Sequence, residues 1–136
     1  MKLLLIITAV FEGVTGIALL VMPSVATSLL LGAPLDTPTG LIAGRIGGAA
    51  IIGLAIECWQ ARNGERGSPA TGVVEAMLFY NFAAALVLVY GGIRLELRST
   101  LLWPAIALHF GLGGWFQLNL WLTRRKLNVA PLTESS

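Results

Sequence analysis

Long apolar stretches separated by short polar links dominate the chain. Four of them, at residues 3–22, 41–60, 72–93 and 101–123, have the length of about 20 residues that a helix needs to cross a membrane. Because lipid offers the backbone no hydrogen-bond partners, such segments fold as helices. A small β-barrel would need alternating polar and apolar positions, and these stretches do not alternate. The pattern therefore predicts an all-α, polytopic membrane protein built as a bundle of four transmembrane helices.

The link between the first and second apolar stretches is the longest and has its own helix signals. Pro23 ends the first stretch, Ser24 can cap a short helix that reaches Leu31, and Gly32 and Pro34 stop it. Its apolar side chains favour a helix lying on the membrane surface. An apolar loop packed over the bundle is an equally good interpretation.

Composition supports the membrane class. The chain has 136 residues, of which 12% are charged, whereas soluble domains carry about 25%. We predict one transmembrane domain over residues 1–123, followed by a polar cytoplasmic tail over residues 124–136. The single cysteine, Cys58, and the single histidine, His109, offer no set of metal ligands, so neither a metal nor another cofactor is predicted.

Basic residues indicate how the chain is oriented. Arg94 and Arg98 lie at one end of the predicted bundle, and a larger group lies at the other. That group consists of Lys2, Arg62, Arg66, Arg124, Arg125 and Lys126. Since basic residues accumulate on the cytoplasmic side, both termini are expected in the cytoplasm, with the protein in a cell inner membrane. The net charge of +2 forms no patch for nucleic acid.

Two carboxylates lie near the predicted cytoplasmic ends of the second and third helices. Glu57 and Glu75 have matching depths and are joined by one link. We interpret them as interface charges that Arg62 and Arg66 neutralise.

Small residues recur on one face of the second apolar stretch. Gly40, Gly44 and Gly48 are spaced by four residues, a pattern that lets another helix backbone approach closely. The ridge predicts packing within the bundle or, alternatively, an interface with another copy of the chain.

Four polar residues fall inside the predicted hydrocarbon region. Glu12, Asn81 and His109 have similar depths by the rise per residue, and Arg45 lies slightly above them. A charge in lipid costs at least ~2.5 kcal/mol, so embedded groups need partners. We therefore predict one buried polar cluster with Glu12 and Arg45 as its ion pair. The pair could serve only to fix helix order, or the cluster could be a site for a small ligand, a quinone or a proton.

Two segments resemble a known group of proteins. Residues 11–16 read FEGVTG, residues 43–49 read AGRIGGA, and residues 58–62 read CWQAR. With four apolar stretches in this length, they are similar to small bacterial four-helix membrane proteins of the DoxX-like group. Some members accompany thiol or quinone redox systems. Because this chain has no paired cysteines, the resemblance implies at most an accessory redox role.

Three functions follow as hypotheses. The first is a non-enzymatic accessory or anchor subunit of a membrane complex, suggested by the lack of a soluble domain and of a catalytic motif. The second is a proton-coupled transporter, because small multidrug-resistance transporters also embed a glutamate in the first of four helices, as Glu12 is embedded here. The third is a membrane enzyme that uses His109 and Glu12 on a lipophilic substrate.

Overall fold

The protein is helical throughout the part that the structure describes. The computed structural model covers the backbone of residues 1–64 and 70–129, with side chains up to residue 125. These residues form five α-helices and no strand, which confirms the all-α prediction. The helices are α1 (Lys2–Val21), α2 (Pro23–Leu31), α3 (Pro38–Ala61), α4 (Ala70–Arg94) and α5 (Leu102–Val129). Of these, α1, α3 and α4 are long and apolar enough to cross a membrane.

Helix α5 is the least apolar of the long helices. His109, Gln117 and Asn119 interrupt its hydrophobic sequence. It contains 28 residues and continues through Val129, so the predicted boundary at residue 123 does not coincide with the end of the helix. The rest of the predicted tail and Arg66 in the second link lie outside the described residues.

The helix ends follow local signals in the sequence. The Thr37 hydroxyl accepts a hydrogen bond from the Gly40 amide at 3.1 Å, and Pro38 occupies the first turn of α3. At the end of α2, Gly32 adopts a left-handed conformation with φ of 78°. A β-carbon on Gly32 would also collide with the backbone of Arg98. Helix α2 therefore stops at Gly32, against the link between α4 and α5.

The helices associate as two pairs, α1 with α3 and α4 with α5. In the first pair, Gly16 and Gly48 bring the two backbones together. A β-carbon on Gly48 would lie 2.7 Å from the Gly16 carbonyl oxygen and 2.6 Å from the Leu20 amide nitrogen. The α1–α3 crossing therefore requires glycine at position 48.

Side chains, rather than bare backbone, fill the α4–α5 interface. The rings of Phe82 and Phe110 meet edge to face, with centroids 6.0 Å apart. A β-carbon on Gly113 would lie 3.2 Å from the Phe82 ring. The two pairs join through a shared apolar core near the start of α1. Its members are Leu4, Leu5, Ala9, Cys58, Val74, Met77, Leu112, Phe116 and Leu120.

Arginines stack on tryptophans at the end of the bundle where α3 and α5 finish. The guanidinium carbon of Arg62 lies 4.0 Å from the centre of the Trp59 ring, and that of Arg125 lies 3.7 Å from the centre of the Trp121 ring. Such pairs suit the boundary between lipid and water.

One of the two interface carboxylates, Glu75, pairs with a different residue from those predicted. Arg124, near the end of α5, forms an ion pair with Glu75 at 3.3 Å. Arg62, which caps the end of α3, instead donates to the backbone carbonyl of Trp59 in the last turn of that helix. Arg62 therefore does not neutralise Glu57 or Glu75, because its side chain folds back on Trp59.

Candidate functional site

A buried carboxylate lies midway along α1. Glu12 is 1% exposed, and its Oε2 accepts a hydrogen bond from the Tyr80 hydroxyl of α4 at 3.1 Å. One turn earlier on α1, Thr8 is fully buried. Neither Thr8 Oγ1 nor Glu12 Oε1 has a hydrogen-bond partner within the described part of the chain. A buried oxygen without a partner carries a desolvation cost. A proton on the Glu12 carboxyl, or a small polar molecule bound to both oxygens, would reduce that cost.

A second polar pair joins α4 to α5. The Asn81 side-chain amide donates to the Met77 carbonyl at 2.8 Å, and its Oδ1 lies 3.0 Å from Nδ1 of His109. Asn81 is fully buried and His109 is 8% exposed. Because an unpaired amide or imidazole is costly in lipid, this contact holds the two helices in one register.

Aromatic rings connect the two polar groups. The Tyr80 ring, whose hydroxyl binds Glu12, packs edge to face on His109 with centroids 5.9 Å apart. Phe11 of α1 packs on the same imidazole at 6.4 Å. Glu12, Tyr80, Asn81 and His109 are thus neighbours at one level of the bundle.

Arg45 does not belong to this group. Its side chain is exposed on α3, and it forms no ion pair with Glu12. Each residue turns a helix by about 100°, and α3 is held in place by the approach of Gly48 to α1. Gly13, next to Glu12, lies beside Ala55 of α3, whereas Gly44, next to Arg45, lies beside Pro23, just past the end of α1. Arg45 is therefore about 15 Å along the helix axis from the level of Glu12, and it also lies on a different side of α3. The predicted Glu12–Arg45 ion pair is not formed.

The predicted glycine ridge faces the interior of the protein. Gly48 packs on α1, whereas a β-carbon on Gly44 would lie 2.8 Å from Leu35 and 3.0 Å from Pro23. A β-carbon on Gly40 would meet the Thr37 hydroxyl at 2.9 Å. The ridge thus packs against α1, against the start of α2 and against the chain segment that leads into α3.

An apolar cavity of about 380 Å³ lies between α1, α2 and α5. His109 borders this cavity, and Glu12 does not. The remaining lining consists of Phe11, Val14, Thr15, Ala18, Leu19, Ala26, Leu29, Leu30, Leu101, Pro104, Ala105 and Leu108. Its volume falls in the range of small-molecule pockets, which begin at about 300 Å³.

Sequence reasoning did not find the Glu12 partner or the cavity. The residues around Tyr80 in the sequence give no indication that its hydroxyl donates to Glu12. The cavity depends on how α2 lies across α1 and α5, for which the sequence carries no signal. Within the described residues, no group of three or more His, Cys, Asp or Glu side chains could hold a metal ion.

Comparison of the chain with protein-family models, with curated proteins and with solved structures found no match. The resemblance to the DoxX-like group therefore stays a prediction.

Proposed function

We propose that the protein is a multi-pass membrane protein in which α5 provides the fourth crossing. Its length corresponds to about 42 Å, more than the hydrocarbon core requires. Its polar His109 is bonded to α4, away from lipid. We also propose that α2 lies at the membrane surface and that both termini are cytoplasmic in an inner membrane. The arginines stacked on tryptophans at one end support that orientation.

Within that membrane, we propose that the protein is an accessory or anchor subunit of a larger complex. The observation that carries this proposal is Arg45, a cation on a membrane-crossing helix that is exposed and has no ion-pair partner among the described residues. An arginine left in lipid is costly, and an acidic group on a partner helix would offset that cost.

Arg45 belongs to a face of α3 that nothing in the described chain covers. We define this outer α3 face by Ile42, Arg45, Ala49, Gly53 and Ile56, which are all exposed and lie within one side of the helix. A β-carbon on Gly53 would meet no atom within 4 Å. The small residues would let a partner helix approach closely, and a carboxylate on that helix at the depth of Arg45 could pair with it.

The test compares variants of that face after gentle solubilisation. Arg45→Leu and Ala49→Leu should both remove the complex from native gels, while the solubilised monomer stays folded because leucine suits lipid. Ala76→Leu, on an exposed position of α4, is the matched control and should leave the complex intact. A monomer in every mild detergent, or an assembly of this chain alone, would contradict the accessory role.

Proton-coupled transport is a second candidate, favoured by the free Oε1 of buried Glu12. A carboxyl that binds and releases a proton in mid-membrane is what such a transporter needs. Glu12→Gln should then abolish proton-linked flux in vesicles, and flux that survives the change would end this hypothesis. An enzyme that uses both His109 and Glu12 has less support, because only His109 borders the cavity.

A further inference from the structure

The contact between Asn81 and His109 fixes which imidazole nitrogen carries a proton. A backbone carbonyl can only accept, so the Asn81 atom that lies 2.8 Å from the Met77 carbonyl must be the amide nitrogen. The atom that lies 3.0 Å from Nδ1 of His109 is then the amide oxygen, which also only accepts. Nδ1 must therefore be the donor.

The other nitrogen of His109 is consequently an acceptor. In a neutral imidazole only one nitrogen carries hydrogen, so Nε2 keeps a free lone pair. The neutral form suits this position, because His109 forms no ion pair among the described residues and lone charges in apolar surroundings are costly. Nε2 also has no hydrogen-bond partner in that part of the chain.

The cavity beside His109 is large enough for a small ring system and is apolar on nearly every side. Among the described residues that line it, Thr15 and His109 are the only ones whose side chains have hydrogen-bonding groups. Several lining residues are also exposed on the outside of the bundle, including Val14 at 66% and Leu29 at 59%. A guest that dissolves in the membrane can therefore reach the cavity from the lipid side.

We propose that this cavity binds a membrane-soluble alcohol or phenol. The hydroxyl donates a hydrogen bond to Nε2 of His109, and the apolar body lies between α1, α2 and α5. An ether or ketone of the same size offers only acceptors, so it would leave Nε2 without a partner. This selectivity follows from Asn81, which holds the proton on Nδ1, and it is independent of the accessory role proposed above.

The single histidine makes the test direct. Protein labelled with ¹⁵N-histidine in lipid nanodiscs gives the imidazole signals of His109 alone. Before any addition, Nδ1 should be protonated and Nε2 unprotonated. Adding 1-naphthol should move the Nε2 signal in a saturable way, and 1-methoxynaphthalene, which lacks the donor, should bind roughly threefold to tenfold more weakly.

Two variants test whether 1-naphthol binds in the cavity. Ala105→Phe and Ala26→Leu fill it from α5 and from α2 without altering the imidazole, and each folded variant should lose the 1-naphthol shift. Ala76→Phe, on the exposed side of α4, should keep it. A proton found on Nε2, equal affinity for the two probes, no binding at all, or a shift that survives both cavity-filling variants would each overturn the proposal.

Discussion

The two helix pairs are held together by different means. In the α1–α3 pair, Gly16 and Gly48 let backbone touch backbone, so a single added carbon has nowhere to go. In the α4–α5 pair, the Phe82 and Phe110 rings and the Asn81–His109 hydrogen bond lie between the backbones. The glycine contact depends on the lack of side-chain atoms, whereas the α4–α5 contact depends on which polar and aromatic groups the side chains carry. Larger residues at the glycine positions should therefore destabilise the α1–α3 pair, and changes in side-chain polarity should destabilise the α4–α5 pair.

The largest effect is expected at the α1–α3 crossing. Gly48→Val places three carbons against the Gly16 carbonyl and the Leu20 amide, which must separate the helices. We expect a loss of about 3 kcal/mol in the free energy of unfolding, measured by titrating folded protein in mixed micelles with a denaturing detergent. The neighbouring Gly47→Val is the control, because a β-carbon there meets no atom within 4 Å. Equal losses in both variants would show that helix propensity, and not the crossing, sets the cost.

The second effect concerns the polar contact in the α4–α5 pair. Asn81→Leu keeps the branched shape of the side chain but leaves Nδ1 of His109 without a partner, so unfolding should become easier by about 2 kcal/mol. Asn119→Leu is a matched control, since Asn119 also donates to the carbonyl four residues earlier but is only half-buried and does not contact His109. If Asn119→Leu costs as much as Asn81→Leu, the bond to His109 contributes nothing.

A third, smaller effect is expected where the two pairs meet. Tyr80→Phe removes the hydroxyl that donates to Glu12 and leaves the ring on His109 in place. We expect a loss of about 1 kcal/mol in the same unfolding measurement. Tyr90→Phe, with a side chain 56% exposed, should change nothing measurable. A Tyr80 variant as stable as the parent would mean that Glu12 does not depend on this donor.

The smallest effect is expected at the ion pair that closes the end of the α4–α5 pair. Arg124 and Glu75 have side chains 73% and 52% exposed, so water and salt screen their attraction. Glu75→Gln should therefore cost less than about 0.5 kcal/mol, and added salt should reduce even that. A loss comparable with that of Asn81→Leu would show that lipid headgroups shield this pair from water.

The sequence allowed the helices to be located with good accuracy because their limits depend on local chemistry. Apolar runs, Pro23 and Gly32 mark the ends of α1 and α2 within a few residues of their positions in the structure, and α3 begins three residues before the predicted stretch. Helix α5 continues past the predicted end of the span at residue 123, because Arg124 and Arg125 are compatible with a helix.

For the candidate site, the common level of Asn81 and His109 could be predicted, but the position of Arg45 could not. Rise along each helix places Glu12, Asn81 and His109 at one level, and the structure joins Asn81 to His109 there. Rotation about the axis decides what each side chain meets, and for α3 that rotation depends on a contact made by Gly48. The prediction placed Arg45 beside Glu12 because neither the level nor the rotation of α3 against α1 can be read from the sequence, and the contact of Gly48 with Leu20 sets both.

Cys58, the only thiol of the chain, lies in the apolar core shared by both helix pairs and is 0% exposed. A maleimide can modify it only after that core opens, so the rate of labelling reports how often the bundle loosens in a bilayer. No engineered cysteine is needed. The natural chain therefore carries its own reporter of folding, placed where the two pairs must part before either can unfold.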